Sequence, residues 1–107
     1  MSPDPVGATF AALSDPTRRH VIGVLSGGQE ASVTELAREL PISRQAVAKH
    51  LAALADAGLV ESTRQGRETR YRLTPAPLTD ARRWIDNVGA EWESRLARLA
   101  EHAKRSP

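Results

Sequence analysis

Apolar positions along this chain recur first at helical spacing, then at every second residue, then at helical spacing again. The patch at Phe10, Ala11, Ala12 and Leu13 predicts a short first helix, with Ser2-Pro3-Asp4-Pro5 before it as a flexible leader. Asp15-Pro16 predicts the start of a second helix. The carboxylate can accept the orphan amides of a first turn, and proline gives up no hydrogen bond at the first helical position. This helix should run to about Leu25, turn Val21, Ile22, Val24 and Leu25 inward, and end at Gly27-Gly28.

Ser32-Val33-Thr34-Glu35 has the spacing of a capping box and opens a third helix carrying Leu36, Ala37 and Leu40. Pro41 stops it and leaves Ile42 to pack into the core. Ser43 can cap a fourth helix from Arg44 to Ala57, and Gly58 supplies a left-handed stop. Two capped helices joined by about three residues form a helix-turn-helix over about 33–57. From Leu59 the period becomes two. Val60, Ser62 and Arg64 share one side, Thr69, Tyr71 and Leu73 do the same after Gly66, and Arg70 and Arg72 lie opposite. The simplest account is a two-stranded hairpin over about 59–73 with Gly66 at its tip. Beyond Pro75 and Pro77, helical spacing returns at Ala81, Trp84, Ile85, Val88, Trp92, Leu96 and Leu99, which predicts a long last helix over about 78–103. The expected fold is mostly α with a small two-stranded β-hairpin: a winged helix-turn-helix of about five helices.

Composition narrows this picture. At 107 residues and 40% hydrophobic, the chain can bury one core but not two, so residues 1–107 are expected to form a single domain. Fifteen Lys and Arg against thirteen Asp and Glu leave a net charge of +2, so the placement of the positive charges matters more than their sum. The absence of cysteine excludes disulfides, thiolate metal sites and a cysteine nucleophile. No apolar run approaches the roughly 20 residues that span a bilayer, so no membrane partner is expected. Met1 to Gly7 lacks the layout of a signal peptide, and the expected location is the cytoplasm.

Candidate chemistry lies on the fourth helix and the hairpin. At 100° per residue, Val47, Leu51 and Leu54 face one way, and Gln45, Ala48, Lys49 and Ala52 the other. A face this small and polar suits a major groove. Ala48 and Ala52 permit close approach, Gln45 offers an amide pair to adenine, and Lys49 offers a donor to guanine or phosphate. Ser43 and Arg44, at the positive end of the helix, complete the set. In the hairpin, Arg64, Arg67, Arg70 and Arg72 stand against Glu61 and Glu68, and Arg64, Arg67 and Arg70 are the candidate contacts to phosphate or the minor groove. The competing readings are an ordinary solvated helix face and a solubilising edge hairpin.

Phe10, Trp84, Val88, Trp92 and Leu99 form the candidate dimer interface, because one small domain cannot easily bury the stripe of the last helix alone. His50 falls at the border of the buried face of its helix, where a half-buried, hydrogen-bonded imidazole is expected. His20 and His102 lie far apart in sequence. A metal site across a dimer would draw on Asp80, Asp86, Glu91 or Glu101, but no paired His spacing supports one. No metal, cofactor or catalytic residue is therefore expected. With no cysteine, no paired His and carboxylate cluster and no Gly-rich phosphate loop to supply a nucleophile or hold a cofactor, an enzyme is not expected either.

Ala11-Ala12-Leu13-Ser14-Asp15-Pro16-Thr17-Arg18-Arg19, Glu35-Leu36-Ala37, Ser43-Arg44-Gln45-Ala46-Val47-Ala48-Lys49-His50-Leu51 and Ala57-Gly58-Leu59-Val60 occur in this order. In these blocks the chain closely resembles the ArsR-like winged helix repressors, and the match covers nearly the whole chain. The resemblance implies a homodimer built from the first and last helices, recognition of double-stranded DNA at a palindromic operator by Arg44 to Ala57, and a wing at Ser62 to Leu73. It also implies repression, including at the chain's own promoter, relieved when an unidentified small-molecule inducer binds. Two departures from the family pattern bear on this. The stretch Val33 to Leu40 lacks the cysteines of members that sense soft metals, and the last helix lacks the Asp and His pairs of zinc-sensing members, so the chain resembles the metal-independent branch. Ala48 stands where many relatives carry a serine, which shifts base reading toward Gln45 and Lys49. The alternative function is a winged-helix protein interaction module without sequence-specific DNA binding. Outward arginines and the lack of large exposed apolar residues on the fourth helix argue against it.

Overall fold

Every helix up to the fourth begins where a side chain closes its first turn. In the computed structural model, which describes residues 4–105, the elements in chain order are α1 (Pro5–Leu13), α2 (Pro16–Leu25), β1 (Ala31–Ser32), α3 (Val33–Glu39), α4 (Arg44–Asp56), β2 (Val60–Gln65), β3 (Glu68–Leu73) and α5 (Ala76–Arg105). Asp15 Oδ1 accepts from the Thr17 and Arg18 amides at 2.8 and 3.2 Å. Partial burial acts to raise this carboxyl, but those two amides, with His50 and Arg18 nearby, hold it below its ordinary value. Ser32 Oγ accepts from the Glu35 amide at 3.2 Å while Glu35 Oε1 accepts from the Ser32 amide at 3.0 Å, which completes the expected capping box. Ser43 Oγ accepts from the Ala46 amide at 3.1 Å.

The leader is a correction. Residues 1–3 lie outside the described residues, but Asp4 Oδ1 accepts from the Gly7 amide at 3.0 Å and Pro5 is already helical. Asp4-Pro5 is the same start signal as Asp15-Pro16, and it opens α1 five residues before the first large apolar side chain, Phe10.

The sheet also differs from expectation. β2 and β3 pair antiparallel from Val60↔Leu73 to Gln65↔Glu68, joined by Gly66-Arg67. Gly66, at φ +64°, is the first of the two loop residues, the position that a tight type II′ hairpin reserves for glycine. β1 adds a third strand on the other edge of β3, with Ala31 opposite Tyr71 and Ser32 opposite Arg70, in the order β1-β3-β2. Two residues are too few to show alternation, so β1 left no signal in the sequence.

The core lies where α2, α3, α4 and the base of the hairpin meet. Val21, Leu25, Leu36, Val47, Leu51, Leu54 and Leu59 are fully buried, and Ile22, Val24, Ile42, Tyr71 and Leu73 pack against them half-buried. Truncating one such leucine to alanine typically costs about 2–5 kcal/mol. This packing fixes the rotation of α4, because Val47, Leu51 and Leu54 occupy its inner side. Of the 30 residues of α5, only Ala81 is fully buried. The helix packs on α1 and then runs past the core, so the molecule measures 74 × 32 × 23 Å.

Candidate nucleic-acid interface

With its inner side anchored, α4 turns Arg44, Gln45, Ala48, Lys49 and Ala52 to solvent. Ser43, Gln45, Ala46, Ala48 and Lys49 line one shallow concavity. No ion pair holds Arg44 or Lys49 among the described residues. An oxygen lone pair of Ser43 serves the cap, which leaves its hydroxyl proton available to an acceptor outside the protein. The surface therefore combines donors and one amide with two alanines that keep it low, a shape and chemistry fit to lie against base edges. Behind it, His50 is half-buried, and its Nδ1 accepts from Arg18 Nε at 3.3 Å, so the imidazole ties α4 to α2. Arg18 lies 32 residues away in sequence, and no local pattern announces this pairing.

In the hairpin, Arg64 and Arg67 are exposed beside the turn, and Arg64 Nε donates to the Gly66 carbonyl at 3.1 Å. Arg72 pairs with Glu61 across the strands. Arg70 departs from the sequence-based expectation that grouped it with the phosphate-binding side chains. Its side chain is only 21% exposed, with Nη1 3.0 Å from Glu35 and 3.3 Å from Glu68. Nη2 donates to the Glu30 carbonyl at 2.9 Å, and Nε lies 3.6 Å from the Glu30 carboxylate. Its guanidinium faces Glu30, Glu35 and Glu68 inside the protein, so Arg70 is less free than Arg64 and Arg67 to meet a phosphate. The Glu35 carboxyl is held below its ordinary value first by the Ser32 amide and then by Arg70. Partial burial acts to lower the Arg70 guanidinium, but Glu35 and Glu68 raise it further above its ordinary value.

The apolar candidates form a second surface. Phe10 and Trp84 are 39% and 52% exposed, and their rings meet edge to face with centroids 5.7 Å apart. Val88, Trp92 and Leu99 continue along α5 at 45%, 57% and 57%, joined by the equally exposed Ile85 and Leu96, which were not among the residues expected at this interface. Among the described residues, no helix is long and apolar enough to cross a membrane, and no group of three His, Asp or Glu is placed to hold a metal.

A recognition helix presented by a helix-turn-helix, beside an arginine-tipped hairpin, defines a winged helix-turn-helix regulator of transcription. Residues 13–63 match the family model of a helix-turn-helix domain. The chain is 42% identical over 100 residues to the HTH-type transcriptional regulator Rv2034 of Mycobacterium tuberculosis, covering 94% of this chain and 87% of that one. The solved ArsR-like transcriptional regulator from Rhodococcus sp. RHA1 superposes with a TM-score of 0.82 at 46% identity, covering 95% of each chain. A Mycobacterium bovis fragment, described as the homodimeric winged helix-turn-helix DNA-binding domain of a possible ArsR-family regulator, superposes with a TM-score of 0.63. It is 25% identical, with 89% of this chain and 84% of that one covered. The chain belongs to the ArsR family of helix-turn-helix transcriptional regulators. It is a DNA-binding regulator and not an enzyme.

Proposed function

We propose that residues 1–107 act as one domain and that two copies bind a palindromic operator as a homodimer, repressing the genes behind it, their own among them. The observation that carries this reading is the outward face of α4, where Arg44, Gln45, Ala48 and Lys49 stand exposed around a low, polar surface. In the complex α4 enters the major groove, with Ser43 and Arg44 on the adjacent backbone and Gln45 and Lys49 on base edges. Arg64 and Arg67 of the wing meet phosphate or the neighbouring minor groove. The stripe from Phe10 and Trp84 to Leu99 packs against its copy. The homodimeric description of the Mycobacterium bovis relative supports a homodimer, and the exposure of the stripe supports its place in the interface.

The regulator works in the cytoplasm, where bacterial chromosomes lie, and releases DNA when a small-molecule inducer binds. That ligand is not a soft metal, since the chain has no cysteine to supply a thiolate. Footprinting the purified protein on the DNA upstream of its own gene tests the reading. The expected result is protection of two inverted half-sites about one helical turn apart, unchanged by added zinc, cadmium or arsenite. Absence of protection would overturn the operator claim, and metal-dependent release would overturn the metal-independent one.

A further inference from the structure

Arg70 projects from β3 into a junction with Glu30, Glu35 and Glu68. Three separate elements of the fold meet there. Glu30 precedes β1, Glu35 sits in the first turn of α3, and Glu68 opens β3 itself. One oxygen, Glu35 Oε1, accepts from the Ser32 amide at 3.0 Å and is ion-paired with Arg70 Nη1 at 3.0 Å. The group that closes the capping box of the helix-turn-helix therefore also holds the hairpin. Gln65, on the same side of the sheet as Arg70, adds a bond from its Nε2 to Glu30 Oε2 at 3.1 Å. Beyond this junction the hairpin extends to its exposed turn, where Arg64 and Arg67 stand.

We infer that Arg70 is a positioning residue: it pins the β2-β3 hairpin to the N-terminus of α3 and so aims Arg64 and Arg67 relative to α4, without touching DNA. The inference rests on reading the hairpin as the DNA-contacting wing. A planar guanidinium suits this place, because its fixed fork can meet two carboxylates and a carbonyl at once, whereas an ammonium offers only a point charge. A partly exposed ion pair alone contributes little, but a fork shared among three acceptors restricts direction as well as distance.

The test is a double-mutant cycle on a random-sequence duplex at low salt, where backbone contacts dominate and no operator is needed. Arg70→Ala should weaken binding about fivefold when the wing is intact, and by less than about twofold in the Arg64→Ala/Arg67→Ala background. Equal loss in both backgrounds would mean that Arg70 touches DNA itself, and would overturn the inference. Amide exchange on the DNA-free protein provides an independent reading. Arg70→Ala should speed exchange of the β2 and β3 amides about fivefold or more, with α4 unchanged. Arg70→Lys, which keeps the charge, should behave like the alanine variant in both measurements. Wild-type binding or exchange in Arg70→Lys, or unaltered hairpin exchange in Arg70→Ala, would overturn pinning by the fork. If the Arg64→Ala/Arg67→Ala change leaves DNA binding intact, the wing reading fails, and the exchange data alone decide whether Arg70 holds the hairpin.

Discussion

Gln45 is the second residue of α4 and is exposed on its outward face. Its amide can pair with one base edge in two hydrogen bonds. Gln45→Ala should therefore cost about 1–3 kcal/mol on the operator and much less on random DNA, as read by titration of both duplexes. Equal weakening on the two would remove Gln45 from base reading. The position of Gln45 is legible because the helical period decides it: once Val47, Leu51 and Leu54 are taken as buried, the opposite face follows by rotation. Arg70 is not legible in this way. Alternation places it on the outer side of β3, but its partners Glu30 and Glu35 come near only through β1, which is too short to leave a pattern. His50 lies between these cases: its half-burial follows from the wheel, whereas Arg18 as its donor does not.

At the scale of elements, caps and turns carried most of the information. Ser32 with Glu35, Ser43, Asp15-Pro16 and Gly66 each act within four residues, and all stand as the local chemistry requires. Asp4-Pro5 follows the same rule, but the lack of a neighbouring apolar run disguised it. The wing is the element whose proposed function separates most cleanly from that of α4, because in the proposed complex its arginines meet a repeating backbone and not a sequence. Replacing both Arg64 and Arg67 by alanine should weaken operator and random DNA alike. It should also flatten the dependence of log affinity on log salt by about one unit for each phosphate that a wing no longer neutralises. The change should leave the melting temperature nearly unaltered, since both side chains are exposed. An unchanged salt slope would mean that the wing does not hold phosphate.

Across the whole molecule, the long stripe on α5 is the feature that a single copy leaves unsatisfied. Trp84, Ile85, Val88, Trp92, Leu96 and Leu99 are each 45–57% exposed, and a contiguous apolar surface of this kind marks an association site. Spacing alone revealed the stripe in the sequence, whereas the extent to which α5 overruns the core became visible only in three dimensions, since nothing local fixes how far a helix outlasts its packing partners. In the proposed complex, dimerisation and operator reading are linked, because one α4 would reach only one half-site and a second would have to be placed about one helical turn away. Sedimentation equilibrium of the full chain with a duplex carrying its footprinted sequence tests that linkage directly. The account predicts two chains per duplex at saturation and a dimer in the absence of DNA at micromolar concentration. A monomer that saturates the duplex one to one would contradict it.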